Sequence, residues 1–541
     1  MISAFQKISP HRKKLDFGAV LPWAWLILAY CITMGLLILH GRAYIDSDMG
    51  GEMILADLLN QEHSIISPNW GYSTEIRVFY LQAIYRIALL IFPNNWFAAR
   101  MLSQAIWLIL TVAAILYAGR GLGLQGNGIW AAAAFVCPFG FYHFWFNLFG
   151  GQYLVYIFIL FISLGLVVRL LKPAPIKRQI FRSALLILIS FVFGLSSIKV
   201  MMALNLPLLA ASVFTIIFDL HEAPDRFPAT GSRFFIVSFV STIFAGLGFL
   251  INSSIFAAKY DFMNQTGRVW ESLDFNALLD SIFSLLSLFG FPDHERLFSL
   301  YGILAAFSLI LIGAIIVCTI FLIGQYFHLS LEKKILLLTT IFSILIQAVI
   351  FSLTSGSIGA SNAYWWLTSV PLVLFLLQCG YEQFDFRFKY GKDLCAIAFM
   401  FCIIATSFSS VHHFFTVPSR AVPDMLPAEE WLVENGYRDG YAVFWKANVL
   451  TEWSSGQLDV RVVSGDTLDV TEPHSWLEKY SHEQPPKGKV FLLMTASELW
   501  GAHKESIRSD YNVYWDENDY MIMAFDSYDE MVTALQNAHE G

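Results

Sequence analysis

The strongest limit on what this chain can fold into is a succession of apolar runs, each close to 20 residues, that begins at Leu21 and recurs to about residue 411. A run of that length matches the hydrocarbon thickness of a bilayer when helical, and a helix is what satisfies every backbone N–H and C=O where there is no water. Charged residues make up only 14% of the chain, against about 25% in soluble domains. The reading is a polytopic α-helical membrane protein. Candidate spans fall at 21–40, 97–117, 126–146, 152–171, 183–200, 201–218, 234–253, 299–324, 334–354, 363–380 and 393–411, about 11 in all. Six cysteines sit in apolar runs without CxxC or metal spacing, so no disulfide framework is expected. Leu21–Leu39 has no clear cleavage site after it and reads as a retained first span.

Basic residues set the orientation, since Lys and Arg favour the cytoplasmic side of short loops. Arg12, Lys13 and Lys14 place the N-terminus inside. Arg120, then Lys172, Lys177, Arg178 and Arg182, then Arg226 and Arg233, then Lys333 and Lys334, then Arg387, Lys389 and Lys392 follow on the same side. The first loop (41–96) is then outer, as is the tail. Val78–Phe92, broken by Gln82 and Arg86, and the short Phe275–Phe291 read as helices along the outer interface. Residues 1–411 form the membrane domain. Residues 412–541 have a soluble composition with helix and strand patterns: MLPAEEWLVENG is helical, YAVFW, VRVVSG, KVFLLM and YMIMAF are strands, and a helix begins near Ser497. That tail is a small extracytoplasmic α/β domain.

Polar groups that could do chemistry gather on the outer side. Asp46 and Asp48 follow the first span, with Glu52 one helical turn on. Carboxylates at a membrane boundary are costly to desolvate, and one within reach of a hydroxyl can serve as a general base. Asp48 equally suits the N-cap of a helix over Met49–Asn60, and Asp46 suits orienting the loop. In PNWGYSTEIRVF, Glu75 and Arg77 stand beside Trp70 and Tyr72; the Arg suits a phosphate and the aromatics suit sugar faces, or the set is an interfacial belt with an ion pair. Lys199 interrupts an apolar stretch and needs an anion, a wet cavity or a snorkelling route. Arg268 lies in the outer loop KYDFMNQTGRVW. His143, Asn147 and Gln152 make a poor metal set for lack of carboxylates. Gly-rich phosphate loops, nucleophile elbows and zinc motifs are absent from the sequence.

These pieces, in this order, resemble the GT-C superfamily of integral-membrane glycosyltransferases, in particular its protein-mannosyltransferase and aminoarabinose-transferase branch. D-M-G-G-E-M-I-L-A-D-L-L places Asp48 on the first acid of the family's acidic pair, with Met49 at the second position and Asp46 two residues upstream. NWGYSTEIRVF matches the next family segment at Gly71, Tyr72 and Glu75 without its prolines, and Arg77 stands where a basic residue is expected. FGLSSIKVMMALNLPLLA is similar to the family's lysine-bearing run and puts Lys199 on that lysine. The chain departs at Asn147, where the family has an acid, and in lacking the late Arg-Tyr, for which Asn362 and Tyr364 are nearest.

The resemblance implies an inverting transfer of sugar from a polyprenyl-phosphate donor to an extracytoplasmic glycan, lipid or protein, in what is expected to be a bacterial cytoplasmic membrane. Asp48 or Asp46 would be the base. Arg77, Lys199 and Arg268 would meet the donor phosphate. Glu52, Tyr72, Glu75 and Tyr364 would contact substrate. No cofactor is demanded, although members of the family sometimes use a divalent metal; membrane lipids are expected neighbours and nucleic acid is not. The competing reading is a lipid-linked glycan transporter, or a non-catalytic component of polysaccharide assembly. Transporters often show internal repeats and midplane charges, and neither is evident here.

Overall fold

The computed structural model describes residues 17–73, 75–222, 228–260, 275–290, 296, 298–353, 360–387, 390–416, 422–472, 474 and 476–538. The membrane part is built from α1 (Phe17–His40), α2 (Ser47–Gln61), α3 (Gln82–Ile91), α4 (Trp96–Leu122), α5 (Ile129–Val136), α6 (Leu154–Leu171), α7 (Ile176–Gly194), α8 (Leu206–Glu222), α9 (Ala229–Leu250), α10 (Phe275–Ser287), α11 (Leu300–Gly324), α12 (Leu331–Leu353), α13 (Val370–Gln383) and α14 (Gly391–Thr416). Among the described residues, eight helices are long and apolar enough to cross a membrane.

Three of the eleven expected spans differ from plain transmembrane helices, each for a local reason. In 126–146 the helix stops at Val136 because Pro138 forces Cys137 out of the helical region (ψ 141°); a π-helical turn, His143–Phe149, follows. In 363–380 a 3₁₀ turn, Ala360–Thr368, precedes α13, which opens with Pro371 in its first turn. In 183–200 the helix starts earlier, at Ile176, and ends at Gly194, so that Lys177, Arg178 and Arg182 fall in its first turns and raise its polarity. The first of these segments still links the two ends of the bundle. Gln125 N–H reaches Glu382 at one end (2.9 Å), and the Gln104 amide reaches the Asn147 and Leu148 carbonyls at the other (2.9 and 2.6 Å).

Basic loop residues gather at one pole. Lys172 pairs with Glu332 (3.0 Å) and donates to the Gly121 carbonyl (2.8 Å), and Lys334 approaches Glu222 (4.0 Å). Asp46, Asp48, Glu52, Arg77 and Lys199 lie at the opposite pole, with the C-terminal domain.

That domain contains α15 (Leu426–Glu434), β1 (Asp439–Val443), α16 (Phe444–Trp453), β2 (Asp459–Val463), β3 (Val490–Thr495), α17 (Ala496–Gly501), α18 (Ile507–Tyr511), β4 (Asn512–Trp515), β5 (Tyr520–Phe525) and α19 (Tyr528–Asn537). The sheet order is β2-β1-β3-β5-β4. β1 runs parallel to β2 and β3, whereas β5 is antiparallel to β3 and β4. Gly436, at φ 72°, closes the turn after α15, a conformation that glycine takes without strain. The expected YAVFW strand ends at Val443; Phe444 and Trp445 instead open α16. A capping box between Thr495 and Glu498 starts α17.

The domain is docked on the first loop. α16 lies on α2 so closely that a Cβ on Gly50 would stand 2.6 Å from the Asn448 carbonyl oxygen. Leu477 N–H donates to the Gly71 carbonyl and Gly71 N–H to the Glu478 carbonyl (both 2.8 Å), and Tyr480 N–H donates to the Asn69 carbonyl (3.0 Å). Residues 477–480 thus form a strap along residues 69–71.

Candidate active site

The site is built on the first turns of α2. Asp46 is the N-cap: extended at φ −101°, ψ 170°, it accepts the Met49 N–H on Oδ1 at 2.9 Å. It is fully buried. The capping role open to Asp48 in the sequence therefore falls to Asp46, and Asp48 stands half-buried inside the first turn, where the helix dipole favours a carboxylate.

Asp48 and Glu52 are four residues apart and share a face of α2. Glu52 is buried and accepts from Arg77 Nη1 at 2.8 Å. Burial pushes the Glu52 carboxyl up, the Arg77 charge pulls against that, and the neighbouring Asp48 charge adds to the rise. Burial would lower Arg77, but the nearby Tyr156, Tyr80, Glu52 and Glu75 outweigh it and hold the guanidinium charged. Arg77 Nε is buried and has no hydrogen-bond partner among the described residues. Gly51, Glu52, Leu55, Trp70, Tyr72, Ser73, Glu75, Arg77 and the strap's Leu477 line one small cleft.

A tyrosine ladder leads from Arg77 to Lys199. The guanidinium sits over the Tyr80 ring (4.8 Å), and Tyr80 packs on Tyr156 (5.5 Å between centroids). Lys199 Nζ lies 5.4 Å from the Tyr156 centroid and 4.9 Å from that of Tyr153, and reaches the Tyr153 hydroxyl at 3.5 Å. Aromatic faces stabilise partly desolvated cations. Tyr364 meets Tyr153 edge-on at 6.4 Å and packs on Phe146 at 4.6 Å.

Asp48, Glu52, Tyr72, Glu75, Arg77, Lys199 and Tyr364 thus belong to one neighbourhood. The Tyr72 hydroxyl accepts the Ser67 N–H at 2.8 Å. Arg268 lies outside the described residues. His143 is sealed in the core, its ring stacked on Phe139 (4.5 Å), with Nε2 at 2.7 Å from the Phe135 carbonyl and Nδ1 at 2.9 Å from the Asn147 amide. Among the described residues no group of three or more His, Cys, Asp or Glu is placed to hold a metal ion. Sequence reasoning missed Tyr80, Tyr153, Tyr156 and Leu477. The i, i+3 spacing of Tyr153 and Tyr156 at the mouth of α6 was a usable signal for the ladder; nothing local marked Leu477.

No family model matches the chain, and no curated protein matches it in sequence. In structure it is similar to ArnT from Cupriavidus metallidurans bound to undecaprenyl phosphate, with TM-score 0.55 and 11% identity over 94% of this chain and 98% of that one. The apo state of the same ArnT gives TM-score 0.55 and 10% identity over 96% and 98%. An oligosaccharyltransferase from Archaeoglobus fulgidus, solved with Zn and sulfate, gives 0.45 and 12% identity over 92% and 72%. The chain shares the fold of ArnT along nearly its whole length.

Proposed function

We propose that this integral membrane protein is an inverting glycosyltransferase that uses a polyprenyl-phosphate sugar and acts at the outer face of the membrane. The observation that carries this reading is the placing of a carboxylate, Asp48, at the head of α2, four residues from Glu52, whose carboxylate bonds Arg77 at 2.8 Å. A base and a cation are what displacement of a sugar from a phosphate requires at its two ends.

In this mechanism Asp48 takes the proton of the acceptor hydroxyl. The hydroxyl oxygen bonds to the anomeric carbon from the face opposite the phosphate. The bond from that carbon to the phosphate oxygen breaks, the configuration inverts, and the lipid phosphate leaves with the electron pair. Glu52 orients Arg77, whose remaining N–H groups face the leaving phosphate; Lys199 adds a second charge from the far end of the tyrosine ladder. Fixed charge aimed at developing charge is the largest common source of catalysis. Asp46 holds the backbone of the first turn. Arg268 joins the phosphate contacts on this reading, and Tyr72, Glu75 and Tyr364 line the sugar.

The likeness to a protein solved with undecaprenyl phosphate supports a donor of this class. The experiment is mass analysis of surface glycans and lipids from cells with the wild-type chain, with Asp48→Asn and with neither. A residue of one defined mass, present only with wild type, is expected. Identical glycans and lipids in all three would refute the assignment.

A further inference from the structure

A second cavity, of about 650 Å³, lies further along α2, between its last turns, the start of α4, the strap and the sheet domain. Its volume is that of a small-molecule site. Its walls carry carboxylates, amides, cations and a phenol, among them Asp57, Gln61, Asn69, Arg438, Lys479 and Tyr480. Three carboxylates (Asp57, Glu62 and Asp459) stand against two cations (Arg438 and Lys479) in its lining; Lys479 bonds Asp459 at 2.6 Å, while Asn69 donates to Glu62 at 2.8 Å and Gln61 to Asp57 at 2.6 Å. A polyanion would meet that surplus of carboxylates, and Lys479 is already held by one of them. Each carboxylate has about four lone-pair directions and keeps acceptor capacity after one bond. Dense donors and acceptors with little net charge suit a neutral polyhydroxylated ligand.

The cavity is separate from the cleft that holds Glu52 and Arg77 but shares its framework. The strap's Leu477 lines the first cleft and its Lys479–Ser481 the second. Along α2, the rise of ~1.5 Å per residue puts Gln61 about 13 Å from Glu52. A ligand held at both places is longer than one sugar ring.

We propose that this second cavity is a saccharide subsite that grips a neutral acceptor oligosaccharide away from the hydroxyl being glycosylated. The proposal rests on the glycosyl-transfer reading, which it deepens by naming the acceptor class.

The test uses the full chain in lipid nanodiscs and saturation-transfer NMR with four soluble probes: maltotriose, mannotriose, chitotriose and the anionic trigalacturonate. At least one neutral trisaccharide is expected to bind. Its affinity should fall at least tenfold in the double variant Gln61→Ala, Arg438→Ala, both exposed positions. An unaltered thermal midpoint in the double variant keeps misfolding out of the comparison. Failure of every neutral trisaccharide to bind, preference for trigalacturonate, or wild-type affinity in the double variant would overturn the subsite. Sugar transfer that persists alongside any of those results leaves the enzyme assignment standing while the subsite falls. Trisaccharide binding that meets these expectations in a chain that transfers nothing supports the subsite and counts against the enzyme.

Discussion

Arg100 on α4 holds Glu452 on α16 with two nitrogens at once, Nε to Oε1 at 2.5 Å and Nη2 to Oε2 at 2.6 Å, across 352 residues of sequence. Neither side chain is more than 1% exposed. The same guanidinium donates to the Met49 carbonyl at 2.7 Å and to the Tyr85 hydroxyl at 2.8 Å. One residue therefore ties the sheet domain to the turn of α2 beside Asp48.

Removing one member of such a pair leaves a buried charge alone, at a cost of about 3–5 kcal/mol. Glu452→Ala should lower the thermal midpoint of the protein in nanodiscs sharply. The double variant Arg100→Met, Glu452→Met should be less destabilised than Glu452→Ala. An equal or larger loss in the double variant would refute the buried-charge account.

Asp48→Asn should reduce transfer by about 10²–10⁴-fold, the usual contribution of a positioned base, without shifting the thermal midpoint. Asp46→Ala should do the reverse in emphasis, destabilising by about 1 kcal/mol through loss of the cap. Side-by-side turnover and unfolding measurements separate the two; full activity in Asp48→Asn would remove that residue from the base role.

Lys199→Ala should raise KM for the donor at least tenfold and leave KM for the acceptor within twofold, with Lys199→Arg restoring most of the loss. An equal effect on both substrates would count against a phosphate contact.

Gly50→Ala would put a methyl 2.6 Å from the backbone oxygen of Asn448, and a backbone atom has little freedom to give way. The variant should loosen the sheet domain, read as faster amide exchange along α16 than in the wild type.

The strap should respond to pH through His482. Burial alone would lower its imidazole, but hydrogen bonds to Asp459 and Glu478 outweigh this and raise it. Burial would likewise raise Asp459, yet His482 and Lys479 hold it well below the carboxylate range. A raised base stabilises fully below its unfolded pKa, near 6.5, and that contribution fades as pH climbs through the folded value; a lowered acid stabilises above about 3.9 and fades as pH falls. Amide exchange at Gly71, Leu477 and Tyr480, corrected for intrinsic rates, should be slowest between about pH 4 and 6.5 and quicken above. His482→Gln should abolish the alkaline limb.

Much of this was legible in the sequence because it rests on local patterns. Apolar length located the long helices, and the acids after the first span located the head of α2. The cap was misplaced by two residues because Asp46 and Asp48 are equally good cap residues and only the backbone turn decides between them. YAVFW ran past its strand because a short apolar run suits a strand or a buried helix equally; here α16 must pack on α2. Pro138 could have split the third span on sight. The docking could not be read, since nothing near Arg100 in sequence points to Glu452, nor from Trp70 to Lys479.

The strap also sets when the molecule becomes complete. Leu477 walls the Glu52 cleft and Lys479–Ser481 wall the second cavity, so neither chamber is complete while the ribosome is still making the first four-fifths of the polypeptide. A chain that ends before the strap lacks Leu477 in the first chamber and Lys479, Tyr480 and Ser481 in the second, so premature termination there leaves both chambers open on one side.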